Sequence, residues 1–294
     1  MVREWQRILL DVTRSTAGIF LLLLVTAPFT KADQTSKADQ TPKVDQAVTT
    51  GYTHPVYIAI ILDDLGNNYN RDLRALRLPA PVTYSILPYS THATRLAQTV
   101  HNSGKEVMVH LPMQNLHDMP IGPGGLTNDL THPEFKLAVS EAISRVPHAT
   151  GINNHMGSFL TQKSRPMEWL MEEIKSKQLF FVDSRTTHKT VASRVAKNKN
   201  LFTSSRDVFL DNDRSIYAIH TQFRKLIDLA KIKGTGIAIG HPYQETLTYL
   251  EMAIPHLQQE GIKIIPVSNL IAIQQPYNLL LANGMASASS TGSE

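Results

Sequence analysis

The chain has 294 residues, 42% of them hydrophobic and 18% charged, with a formal net charge of +4. That is apolar matter enough for one large globular domain or two small ones. It contains no cysteine, which excludes disulfide frameworks, thiolate nucleophiles and thiolate metal sites. The first 32 residues carry four basic and two acidic side chains, and without them the balance is 25 against 23. That is too even for the electrostatic footprint of a nucleic-acid binder.

Residues 1–32 have the pattern of a secretory signal. Arg3, Arg7 and Arg14 form a basic leader, an apolar run spans 17–29, and Thr30, Lys31 and Ala32 precede a cleavage point before Asp33. The run has signal-peptide rather than membrane-spanning length; an uncleaved anchor is the alternative. Either way the remainder is exported, and a periplasmic location with no membrane span in the mature chain is expected. Residues 33–54 follow as a polar tether in which KADQ, KADQ and KVDQ recur every six residues from Lys31, Lys37 and Lys43, with no hydrophobic period and no means of forming a core. A globular domain is expected over 55–275 and a low-complexity tail over 276–294.

Within the domain, apolar strand-like runs occur at 56–62, 82–87, 106–111, 150–154, 179–182, 200–203, 236–239 and 262–267. Helical stretches lie between most of them, at 93–102, 133–145, 166–177, 216–232 and 244–260. Pro133 and Pro166 stand at helix starts, and Gly104 and Gly261 at helix ends. Alternating strands and helices imply a parallel sheet, open or closed. Seven or eight strands without a glycine-rich phosphate fingerprint favour a barrel and give nucleotide binding no support.

Polar residues cluster where the apolar runs end. Asp63 and Asp64 follow the first run and His110 the third. Asn153, Asn154 and His155 follow the fourth, Asp183 and Ser184 the fifth, and His241 the seventh. One Asp at a strand end is commonly a turn former or a cap. A face of Asp, His and Asn at five strand ends is a ligand inventory, and in β/α barrels that face carries the active site. Alternation along a strand sends Asp63 and Asp64 to opposite sides and implies separate roles. Carboxylate and imidazole without sulfur suit Zn²⁺ or another divalent first-row ion. Three such ligands leave a position for water, and a further Asp and His are available as base and acid.

The strings ILDDLG, HLPM, NNHMGS, VDSRT and IGHPY, in that order, resemble the divergent polysaccharide deacetylase family, a branch of the NodB-like carbohydrate esterases, over about residues 56–270. The resemblance implies a distorted (β/α) barrel of about seven strands. It also implies Asp63 as catalytic base, Asp64 as metal ligand, and His241 as general acid. Gly104, Glu106 and His110 fit the start of the family's second motif, but its second histidine falls on Gln114. His155 is the expected substitute, giving Asp64, His110 and His155 as the ligand set. The family's Arg-Pro-Pro motif is replaced by NNHMGS. Gln114, Asn154, Asp183 and Tyr243 complete the face as expected substrate contacts, and Tyr89, Tyr243 and Phe159 are placed to stack on sugar rings.

Two functions follow. One is metal-dependent hydrolysis of N- or O-acetyl groups on a cell-envelope polysaccharide, such as a peptidoglycan-type glycan. The other is a catalytically silent relative that binds envelope glycan or an envelope protein through the same face. A third, hydrolysis of a non-sugar amide on the same scaffold, has less in its favour.

Overall fold

The computed structural model describes residues 55–275. The expected signal, tether and tail lie outside the described residues. Strand β1 (Val56–Leu65) is the central stave. Its Ile58, Ile60 and Leu62 belong to the outer core beneath the helices, while Ala59 and Ile61 belong to an inner core. Both faces are covered, which is why the run reads as continuous rather than alternating.

The other strands are β2 (Thr83–Ile86), β3 (Glu106–Met113), β4 (Ala149–Met156), β5 (Phe180–Asp183), β6 (Thr203–Ser205), β7 (Val208–Phe209), β8 (Thr235–Gly240) and β9 (Ile262–Ile264). All pair in parallel, in the order β6-β5-β4-β3-β2-β1-β8-β7, with β9 beside the first residues of β1. The two edges of this sheet are consecutive in sequence. The Arg206 amide donates to the Asp183 carbonyl (3.0 Å) and the Asp207 amide to that of Ile237 (2.9 Å). A single crossing segment thus joins the β5 edge to the β8 edge and closes a distorted barrel of seven staves, as expected.

Helices α1 (Tyr69–Leu76), α2 (Ala93–Asn102), α3 (His132–Arg145), α4 (Ser164–Ser176), α5 (Ala192–Asn198), α6 (Ile216–Lys233), α7 (Gln244–Ala253) and α8 (Val267–Gln274) complete the domain. α1, α5 and α8 were not legible as helices. The 244–260 stretch divides at Pro255, where a ring without an N–H turns α7 into a 3₁₀ segment, Ile254–Glu260. No helix of the described residues is long and apolar enough to cross a membrane.

The run at 262–267 stops as a strand after three residues, and the chain turns into α8. That helix lies across the N-terminal mouth of the barrel. The Val267 amide donates to Thr83 Oγ1 (3.1 Å), the Ser268 amide to Glu106 Oε2 (3.3 Å), and Gln274 Nε2 to Thr235 Oγ1 (2.9 Å). Thr83, Glu106 and Thr235 are the first residues of β2, β3 and β8. Val267, Leu270 and Ile271 pack inward against Ala59, Ile61, Met108 and Ile237. This end is sealed with hydrocarbon, and Glu106 acts here as a buttress of α8. Polar chemistry is left to the opposite rim.

The turn after β1 depends on Gly66, at φ +110°. A Cβ there would lie 1.9 Å from Ser90 Oγ, and the Gly66 amide donates to Asp72 Oδ2 (2.7 Å). Gly66→Ala therefore combines a disfavoured backbone with a clash, each costing about 1–3 kcal/mol. The urea midpoint should fall by the equivalent of at least about 2 kcal/mol. An unchanged midpoint would contradict the geometry.

Candidate active site

β1 carries one residue more than its partner. Leu62 pairs with Tyr84 and Leu65 with Ile86, with a bulge between, and Asp64 sits at φ 59°. A bulge of this kind re-aims a side chain. Strict alternation would send Asp64 away from Asp63; the bulge instead turns both carboxylates toward the barrel mouth. That corrects the expected geometry of the pair.

His110 on β3 and Asn153 on β4 are lateral neighbours, and so are Pro112 and His155. Asp64 Oδ1, His110 Nε2 and His155 Nδ1 form a nearly equilateral triangle. Its sides are 3.1 Å (His110–Asp64), 2.9 Å (His155–Asp64) and 3.1 Å (His155–His110). Among the described residues this is the group whose donor atoms could hold a metal ion. Ligands at about 2.0–2.2 Å from a first-row ion stand roughly 3.0–3.4 Å apart, so the triangle has the right size. Asp64 Oδ1 is buried and accepts no hydrogen bond in the structure. A buried, orphaned carboxylate oxygen crowded by two imidazole nitrogens fits a cation.

The tautomer of His110 is set from behind. Its Nδ1 lies 2.8 Å from Asn153 Oδ1. Asn153 Nδ2 donates to both oxygens of Asp63 (2.8 and 3.1 Å), and Ser85 Oγ donates to Asn153 Oδ1 (2.6 Å). These bonds fix which way the amide faces, so His110 donates through Nδ1 and turns Nε2 to the triangle, as a metal-ligating histidine does. Burial works to lower the His110 pKa, but the adjacent carboxylates of Asp63 and Asp64 push it up to about 9. Asp64, despite its own burial, is held far below the usual carboxylate range by His110 and His155. A proton on His110 is thus the competitor an ion displaces.

Asp63 is almost wholly buried beside the triangle, with Oδ2 3.7 Å from His110 Nε2. Burial raises its pKa above the ordinary carboxylate value, and the nearby histidines and Asn153 offset this only in part. His241 enters from the end of β8, Nε2 lying 3.6 Å from Asp64 Oδ2. Its Nδ1 donates to Asp211 Oδ1 (2.9 Å). Asp211 Oδ2 accepts from the His241 amide and from Thr246 Oγ1 (2.6 and 2.7 Å). Burial works to lower the His241 pKa, but this carboxylate carries it above the ordinary imidazole value.

Four expected substrate contacts stand differently. Asn154 points away from Asn153 and His155 by strand alternation. Its Nδ2 donates to the Met156 carbonyl, and its Oδ1 accepts from the Ser184 amide. It is a loop brace. Asp183 accepts from the Arg185 amide, Thr190 Oγ1 and the Ser193 amide, so it organises the turn into α5 and does not join the site. Gln114 Oε1 accepts from the Asn128 amide, and its carbonyl from the amides of Phe159 and Leu160, which ties two rim loops together. Tyr243 has one face covered by Arg214 (3.6 Å) and tilts against His241 at 5.3 Å between centroids. Tyr89 and Phe159 likewise carry Arg145 and Lys163 at 4.3 and 4.4 Å. Asn153 and Asp211 are the site residues whose roles the sequence reading missed. Parity with His155 identifies Asn153, whereas the two-residue strand before Asp211 leaves no readable pattern. A cavity of about 190 Å³ lined by Tyr89, Pro112, Ile121 and Pro123 adjoins His155.

A family model described as divergent polysaccharide deacetylase matches residues 60–271. This chain belongs to that family. YibQ, an uncharacterized protein of Escherichia coli K12, is 36% identical over 214 residues, 73% of this chain and 67% of YibQ. An uncharacterized protein from Agrobacterium tumefaciens C58, ATU2773, superposes with a TM-score of 0.72 at 21% identity, covering 74% of this chain and 89% of that one. A mutant of BA3943, described as a CE4 family pseudoenzyme with restored enzymatic activity, superposes with a TM-score of 0.51 at 14% identity, over 75% and 69% of the two chains. The two structural likenesses establish the fold, that of a polysaccharide-deacetylase-like barrel.

Proposed function

We propose that this member of the family is a metal-dependent deacetylase acting on an acetylated cell-envelope polysaccharide, and that it works in the periplasm. The observation that carries the reading is the triangle of Asp64, His110 and His155, with a buried carboxylate and a carboxylate-tuned histidine beside it. A divalent ion, Zn²⁺ by the chemistry of the donor set, would polarise the acetyl carbonyl and acidify water.

The remaining work falls to the protein. Asp63, made more basic by burial, accepts the proton of the attacking water as oxygen bonds to the acetyl carbon. Asn153 holds Asp63 and His110 in one frame, so base and ligand keep their spacing. His241, protonated and steered by Asp211, donates from Nε2 to the leaving amine as the carbon–nitrogen bond breaks, and acetate departs. The cavity beside His155 is the place for the acetylated sugar. A silent glycan binder has no use for Asp63 or for the Asp211–His241 pair, so the acid–base set favours turnover. Acetate release from acetylated envelope glycans, measured on protein with one equivalent of zinc, tests the reading; none from any such glycan at full metal occupancy would refute it.

Asp211 gives a pH prediction. A raised His241 pKa keeps the acid protonated to higher pH, so activity falls on the alkaline side as pH rises through it. Removing the Asp211 charge lowers that pKa. In Asp211→Asn the alkaline limb should move down by about 1 pH unit or more. An unmoved limb would mean that His241 does not set it.

A further inference from the structure

From the rim at the ends of β1 and β8 a groove of about 730 Å³ runs down between α1 and α7, lined by Arg71, Arg74, Arg77, Arg214, Tyr243 and Glu245, among others. Arg71 is matched by Asp72 (3.2 Å) and Arg74 by Glu251 (2.9 Å), both outside the lining. Arg77 and Arg214 are exposed and make no ion pair of their own among the described residues. Glu245 is the acid within the lining. The Arg214 guanidinium carbon lies over the Tyr243 ring, 3.6 Å from its centroid. Stacking holds a guanidinium plane in place and leaves its N–H edges available for a carboxylate or phosphate.

The groove opens off the catalytic centre at two points. Tyr243 packs against the His241 ring, and Arg71 Nη2 donates to the Asp64 carbonyl (3.2 Å). A polymer whose acetylated unit sits at the Asp64–His110–His155 triangle has this arginine-lined wall in reach of its neighbouring units. A neutral chain offers these guanidinium groups no charged partner and would only strip water from them. We propose that the substrate is an anionic glycan, bearing carboxylate or phosphate groups that seat against Arg214 beside the acetylated sugar and against Arg77 further along the groove. This deepens the deacetylase reading and rests on it for the placement of the sugar.

The test is calorimetric titration of the full chain, zinc-loaded, with three acetylated oligosaccharides of equal length: one neutral, one with uronic-acid carboxylates, one with phosphates. At low ionic strength at least one charged ligand should bind ten-fold or more tighter than the neutral one, and the advantage should shrink with added salt. The charged arm that shows it names the anion. The double variant Arg77→Gln, Arg214→Gln alters two exposed side chains. It should bring the charged ligand down to the neutral affinity without changing neutral binding or metal content. Equal affinity for all three, no binding of any, or an advantage that survives in the double variant overturns the inference. Charge-dependent binding without acetate release supports the groove and overturns the deacetylase reading alone.

Discussion

Replacing Asp63 with Asn is expected to lower acetate release by about 10²–10⁴-fold, the usual cost of removing a general base, while the metal content stays at that of the parent. The two effects separate because Asp63 is not a vertex of the ligand triangle, its nearer oxygen lying 3.7 Å from His110 Nε2. The substitution is close to isosteric. The new side-chain oxygen can still accept from Asn153 Nδ2, which now reaches both carboxylate oxygens, so the frame around His110 survives. What is lost is a buried negative charge and a basic lone pair. A carboxylate that burial has made more basic than usual is well suited to take a proton from water near neutral pH. Glycan binding should persist, since an amide fills the same space. If Asp63→Asn releases acetate at the parent rate, the base lies elsewhere. If it loses metal along with activity, Asp63 belongs among the ligands.

Much of this site was legible because a parallel barrel puts its chemistry where apolar runs end. Asp63, Asp64, His110, His155 and His241 all announce themselves by coming where apolar runs end. The closed barrel was legible too, from seven or so runs alternating with helices. The losses have physical causes. Asn153 and Asn154 are adjacent and chemically identical, and only the pleat separates a residue facing Asp63 from one bracing a loop. The same rule misled at Asp64, where a left-handed residue in a bulge reverses the expected direction. Asp211 follows a strand of two residues, too short for any period to show. α8 follows directly on an apolar run that begins as a strand, and short apolar stretches do not distinguish strand from buried helix. The arginine groove was out of reach for another reason: its walls come from segments near 71–77, 214 and 242–247, which only the closed sheet brings together.

His155→Ala is expected to weaken metal binding by at least about 100-fold. Loss of residues that merely support a ligand already costs 10–100-fold, and here a vertex of the triangle itself is removed. His155 is the decisive residue because Gln114 stands where the second histidine of the resembled NodB-like motif would fall. Gln114 is engaged elsewhere, its Oε1 bound to the Asn128 amide at 2.9 Å. His155 Nδ1 instead lies 2.9 Å from Asp64 Oδ1 and 3.1 Å from His110 Nε2, restoring three donors from β1, β3 and β4. Its side chain is at the rim and only partly buried, so the barrel should fold without it. The metal content of the purified variant after dialysis, alongside its melting temperature, measures both points. Gln114→Ala is the matched control, since it should loosen the rim loops and keep the metal. Full stoichiometric metal in His155→Ala, or loss of metal in Gln114→Ala with the fold intact, would move the third ligand from position 155 to position 114.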